Sequence, residues 1–269
     1  MTTNHWYTKE GIAAHTQPTT SKTAKNPSRP TTIKDAKKLK LYPSVTSILK
    51  LIHNEMLQRW KYRKVVEACF NRPLVGDEGL EEYTDFILAK AFDEADDAAQ
   101  LGTRIHHCIE TLIKGEDNIH PQDIINYAED AINRMETLGI NVVASEFVTV
   151  NPEYGYAGTT DIAFKANDGV ITGILDFKSK RTHEGDPVIP SFGHAAQLAA
   201  YYASYWKPQW EESYFKRAVG YNIYISTTEP GRIDVVKYDG EQLAKEFEMF
   251  ENACGIWRYK NNYDPRSSG

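Results

Sequence analysis

The sequence predicts an α/β protein in which a central mixed β-sheet is flanked by helices and preceded by a helical region. Three observations predict it. Apolar residues recur at helical spacing through most of the stretch from Lys34 to Leu138. The pattern then changes to three strands, Asn141 to Val150, Tyr156 to Ala166 and Val170 to Lys178, each bounded by Gly, Pro or Asn. A helix over His194 to Trp206 follows, then strands at Val219 to Ser226 and Arg232 to Tyr238, and a closing helix from Gly240 to Trp257.

The elements are justified in order. Residues 1–30 read as an N-terminal arm, because Thr16 to Thr32 is rich in Ser, Thr and Pro, free of acids, and holds a single Arg with no amphipathic period. Residues 31–140 read as a helical region. It opens with a short basic helix, Lys34 to Lys40, broken by Tyr42-Pro43. Helical spacing resumes from Ser44 to Trp60 through Val45, Ile48, Leu49, Ile52, Met56 and Leu57. An acidic helix from Glu81 to Asp97 runs into a second one from Asp96 to Lys114, and Pro121 to Leu138 forms another that Gly139 ends. Residues 141–260 hold the sheet and its helices, with a thirteen-residue loop from Arg181 to Gly193, and 261–269 form a tail.

Composition narrows the class. The chain has 269 residues, 41% of them apolar, enough for a full core. No run approaches the roughly 18 apolar residues of a membrane span, and the start lacks a secretory signal, so the expectation is an intracellular protein with no membrane partner. Cys69, Cys108 and Cys254 have no zinc or redox spacing and read as core thiols. Net charge is −6, yet Met1 to Lys64 carries 13 Lys and Arg against 3 Asp and Glu. A basic first quarter on an acidic body suits a lobe that holds a polyanion, or else is a solvated linker.

The most informative segment is GTTDIAFKANDGVITGILDFK, Gly158 to Lys178. Asn167-Asp168-Gly169 between apolar runs signals a hairpin. With a two-residue loop at Asp168 and Gly169, paired residue numbers sum to 337, and Asp161 lies opposite Asp176. Opposed carboxylates about 4.5–5.5 Å apart repel. A divalent cation bound by hard oxygens offsets that repulsion. Alternation puts Asp176 and Lys178 on one face and Leu175 and Phe177 on the other, in the core. The alternative is a set of solvated charges on an open sheet face.

Other residues gather around this hairpin in sequence order. GTRIHHCIE sets Gly102, His106 and Glu110 along one side of a helix, so His106 can present an imidazole, although a lone helical His is often only structural. Glu146 lies on the strand before the hairpin. Gln197 and Tyr201 in QLAAY share a helix face one turn apart.

Taken together, PSVTSIL at Pro43 to Leu49, G-x-x-x-H at Gly102 to His106, Glu146, GTTD ending at Asp161, DFK at Asp176 to Lys178, and QLAAY resemble the RecB-type branch of the PD-(D/E)xK nuclease superfamily. LQRWKYRK at Leu57 to Lys64 is similar to the mitochondrial genome maintenance exonucleases and their phage-encoded relatives. The likeness runs from about Thr31 to Tyr238 and implies a restriction-endonuclease-like core. It implies that His106, Asp161, Asp176 and the Phe177 carbonyl bind one or two Mg²⁺ or Mn²⁺ ions. It also implies that Lys178 positions or activates the attacking water, with Glu146 as a further catalytic carboxylate. Gln197 and Tyr201 would contact the scissile phosphate or the lysine. Two departures stand: Thr160 replaces the proline of the family name, and three misplaced cysteines predict no iron–sulfur cluster.

The resulting expectation is a metal-dependent DNA exonuclease preferring single strands or frayed ends. No G-x-x-x-x-G-K-[ST] motor is present, so an accessible end or a replication or recombination partner must feed it. Lys61, Arg63, Lys64 and Arg181 are the expected DNA contacts, and Trp60, Tyr62, Trp206 and Trp210 are candidates for base stacking. The alternatives are a flap or branch endonuclease with the same site and a catalytically silent nucleic-acid-binding module. The expected compartment is the cytoplasm of a bacterial or phage-infected cell, with the mitochondrial matrix as the other possibility.

Overall fold

A computed structural model describes residues 5–19, 26–52, 54–206 and 214–267; Trp210 lies outside them. The chain opens with strand β1 (Trp6–Tyr7), then β2 (Thr16–Pro18) and β3 (Ser28–Pro30), which pair with each other. Helix α1 (Ile33–Leu39) follows, held by a reciprocal capping box between Thr32 and Asp35. Strand β4 (Tyr42–Pro43) pairs with β1, so the expected arm is joined to the body: Trp6 is buried and meets Trp257 edge-on. The apolar pair Trp6-Tyr7 anchors it, which the polar composition around it concealed.

The helix expected over Ser44 to Trp60 is two helices, α2 (Val45–Leu49) and α3 (Glu55–Asn71). Ser44 caps the first and Asn54 the second by accepting the Leu57 N–H, so the chain turns between them. The two helices expected from Glu81 to Lys114 are one, α4 (Leu80–Lys114), which holds no proline and ends where Gly115 adopts a positive φ. Helix α5 (Gln122–Thr137) packs beside it, each burying an apolar stripe.

The sheet then forms in the order β5 (Ile140–Asn151), β6 (Tyr156–Ala166), β7 (Thr172–Lys180), β8 (Ala218–Ser226), β9 (Ile233–Tyr238). All neighbours are antiparallel except β7 and β8, which are parallel and joined through α6 (His194–Tyr205). Helix α7 (Gly240–Asn261) closes the chain behind an Asp239 capping box. The expected α/β class, a central mixed sheet flanked by helices, is the architecture found.

The sheet separates two cores. On one face Ile105, Ile109 and Ile124 of α4 and α5 pack on Leu175, Phe177 and Ile223. On the other, α6, α7 and the N-terminal segments pack on Ala163 and Ile174. Alternation along β7 therefore sets Asp176 and Lys178 on the α6 side and Phe177 on the α4 side.

The hairpin turn is wider than expected, although its register is as expected. Ala166 N–H bonds Ile171 at 2.9 Å, leaving a four-residue loop in which the Asp168 carboxylate accepts the N–H groups of Val170 and Ile171. One residue is withdrawn from each strand, so pairs such as Ile162 with Leu175 keep their sum.

Candidate metal centre and active site

The site lies where two strands part. The β6–β7 ladder ends at Ile162 and Leu175, while β7 continues alongside β8 to Lys180 and β6 continues alongside β5. Beyond the last pair, the Phe177 N–H is taken by the Asp161 side chain, Oδ2 accepting at 2.8 Å. Phe177 itself is buried and meets the His106 ring edge-on.

Helix α4 supplies the histidine. A Cβ at Gly102 would lie 2.6 Å from the Ser179 Oγ, so glycine is what lets α4 approach β7 so closely. One turn further on, His106 Nδ1 sits 3.5 Å from Asp161 Oδ2. Gly158 has a similar role on the other side, where a Cβ would fall 2.7 Å from the Tyr201 ring.

Glu146 completes a trio. Ligand atoms of His106, Glu146 and Asp161 all lie within 4.8 Å of one another, a group that can hold a metal ion. Glu146 has φ of 45° between the paired residues Ser145 and Phe147 of β5. A left-handed backbone at a side chain of this kind costs about 1–2 kcal/mol, and such strain concentrates at functional sites.

The electrostatics of the trio suits a cation. Burial, then the charges of Asp161 and Glu110, push the Glu146 carboxyl up to about 8. Burial and the nearby Asp176 also raise Asp161, against the pull of His106 and Lys178. Each carboxylate resists ionisation as the structure stands, and a divalent ion bound by one nitrogen and hard oxygens reverses that preference. The residues present therefore fit a metal. A cleft of about 440 Å³ lined by Thr103, His106, Glu146, Asp161 and Lys178 gives it access.

Asp176 has a different set of partners from those expected. It lies outside the trio and binds Lys178 Nζ at 2.5 Å through Oδ2. Gln197 Nε2 donates to its Oδ1 and Asn222 Nδ2 to its Oδ2, both at 3.2 Å. The Gln197 carbonyl accepts from Lys178 at 3.4 Å and its amide reaches the Tyr201 hydroxyl at 3.3 Å. Burial opposes charge on Lys178, but Asp176 and Asp161 outweigh it and hold the ammonium above its ordinary range. Burial likewise raises Tyr201, leaving its phenol protonated.

Asn222 was not anticipated from the sequence. It sits opposite Asp176 in the parallel ladder and is fully buried, with Oδ1 lacking a partner among the described residues. A polar residue inside the apolar run AVGYNIYIS was the available signal. His194, three residues before Gln197, was also missed. Its Nδ1 lies 2.8 Å from the Tyr224 hydroxyl, and burial and then Lys178 lower it to about 4, so it is neutral.

The expected nucleic-acid contacts divide. Arg63 pairs with Glu67 at 2.8 Å, Lys64 lies 3.5 Å from Glu67 and 3.6 Å from Glu94, and Arg181 lies 3.9 Å from Glu94. Lys61 has no ion pair among the described residues and lines a second cavity. Tyr62 and Trp60 are both exposed, Trp60 while also meeting Phe92, whereas Trp206 donates to the Gly173 carbonyl at 2.9 Å as a structural residue. The loop after β7 is tied down by Arg232, which donates to the carbonyls of His183 and Asp186. Among the described residues no helix is long and apolar enough to cross a membrane.

No protein-family model matches the chain, and no curated protein matches it. Among solved structures, SSO0001 is similar at 16% identity over 74% of this chain and 87% of that one, with a TM-score of 0.29. A protein from Eubacterium rectale described as a "Putative exonuclease" is similar at 15% identity over 71% of each chain, with a TM-score of 0.34. Likenesses this loose leave the chemistry to be argued from the site.

Proposed function

We propose that the chain is a metal-dependent nuclease of the PD-(D/E)xK type, an exonuclease that hydrolyses DNA and prefers single strands or frayed ends. The observation that carries this reading is the convergence of His106, Glu146 and Asp161 within 4.8 Å beside the Asp176–Lys178 pair, at the fork of β6 and β7. The motif order in the sequence supports the same reading.

His106, Glu146 and Asp161 would hold the ion, Mg²⁺ or Mn²⁺, beside the Asp176–Lys178 pair. When bound, the ion supplies a water made acidic and stabilisation for charge on the phosphoryl oxygens. The chain's own residues do the rest. Lys178 Nζ is a donor at the cleft that orients the attacking water and meets developing negative charge. Gln197, bonded to both Asp176 and Lys178, fixes their separation. Asn222, beside Asp176 on the neighbouring strand, donates to its carboxylate and keeps it from rotating.

The test is an end-labelled linear single strand and a covalently closed circular one, each incubated with Mn²⁺ or with EDTA. Shortening of the linear strand with Mn²⁺ only, with the circle intact, is expected. Rapid cutting of the circle would replace the exonuclease reading by the endonuclease one, and no cutting of either would reject both.

A further inference from the structure

A second cavity of about 440 Å³ opens beside Gln197, between α2, α3 and the start of α6. Lys50, Leu57, Lys61, Phe192, His194 and Gln197 are among its walls. We infer that this cavity is a subsite for one nucleotide of the substrate strand next to the scissile phosphate, with Lys50 and Lys61 meeting its phosphate and Leu57 and Phe192 its base. The inference rests on the nuclease reading and adds to it where the strand lies.

Charge is the first argument. Among the described residues no Asp or Glu lines the cavity, and neither Lys50 nor Lys61 forms an ion pair. Arg63, Lys64 and Arg181, by contrast, all have acidic partners. Two unneutralised ammonium groups in one hollow select an anion.

Shape and polarity supply the second. Leu57 and Phe192 are 44% and 55% exposed, so the cavity leaves apolar surface that a flat ring would cover. His194, stacked on Tyr224 and tied to its hydroxyl, forms a rigid uncharged wall. The volume falls in the range of small-ligand sites, which suits one nucleotide rather than a folded partner.

Continuity supplies the third. Gln197 is a wall of this cavity and also bonds Asp176 and Lys178, so a nucleotide here adjoins the reaction centre.

The test is calorimetric titration of the full chain in EDTA with deoxynucleoside monophosphates and, separately, inorganic phosphate. Nucleotide binding about tenfold tighter than phosphate is expected, weakened about tenfold in Lys50→Ala/Lys61→Ala and by a similar factor in Phe192→Ala. Lys245→Ala, an exposed change on α7 outside the cavity, should leave it unchanged. Lys61→Gln alone, a surface change that keeps the stem, should show part of the loss. Equal affinity for phosphate and nucleotide, absence of binding, or weakening by Lys245→Ala as large as by the Lys50 and Lys61 changes would overturn the subsite. Mn²⁺-dependent cleavage is read separately. Cleavage without nucleotide binding removes the subsite and leaves the nuclease reading, while binding without cleavage removes the nuclease reading and leaves a nucleotide cavity.

Discussion

The Asp161 carboxylate accepts the Phe177 N–H at 2.8 Å across a gap where the β6–β7 ladder has already ended. A side chain thus takes over a bond that a strand partner would have made. The same oxygen faces His106 at 3.5 Å, so the residue that closes the fork also joins the trio. Structure and chemistry are linked at one atom.

Asp176→Ala and Lys178→Ala should each lower cleavage by about 10²–10³-fold, the usual loss when one charge-stabilising group is removed from a site. Binding of a short single strand in Ca²⁺ buffer should persist, as measured by fluorescence anisotropy. Unchanged cleavage in both variants would reject their assignment.

Metal-free protein should lose stability as pH rises from 6.5 to 8. Glu146 in the folded chain holds its proton up to about 8, against an ordinary value of 4.5, so the folded state binds more protons between the two and stability falls with rising pH. His194 acts oppositely, since its depressed value of about 4 adds stability as pH climbs towards 6.5 and nothing beyond. Thermal melts in EDTA should therefore show a downward slope above pH 6.5, flattened in Glu146→Gln and countered by Mn²⁺. A flat wild-type profile would contradict it.

Gly102→Val should push α4 off β7. The added Cβ meets Ser179 Oγ at 2.6 Å, and overpacking of this kind costs about 1–3 kcal/mol. Since His106 rides on the same helix, Mn²⁺ affinity should drop by more than the fold loses in urea stability; equal affinity would show that α4 can shift without moving the histidine.

Lys61→Ala should reduce the salt slope of single-strand binding by about 0.7, the contribution of one phosphate contact. Arg63→Ala should change it far less, because Glu67 already balances that charge. Equal slopes for the two variants would dismiss the distinction between paired and unpaired cations.

Trp6→Ala should destabilise by about 3–5 kcal/mol, the range for a buried Trp truncated to Ala. Urea denaturation measures it, and a change below about 1 kcal/mol, typical of surface positions, would mean that the first strand is dispensable.

The sequence by itself determined the α/β class, the hairpin register and the sharing of one face by Asp176 and Lys178, because these follow from local periodicity and turn chemistry. Asn167-Asp168-Gly169 set the pairing sum even though the loop is wider than two residues. The motif residues His106, Glu146, Asp161, Gln197 and Tyr201 stood out as a set through the family resemblance that their motifs carry in order. Only the tertiary structure decided how they divide. It grouped Glu146 with His106 and Asp161, gave Asp176 to Lys178, Gln197 and Asn222, and paired Arg63 and Lys64 with Glu67 and Glu94. Those outcomes depend on strand order, on where a ladder stops and on a helix lying close at Gly102. Such contacts join residues far apart in the chain, and no local spacing encodes them.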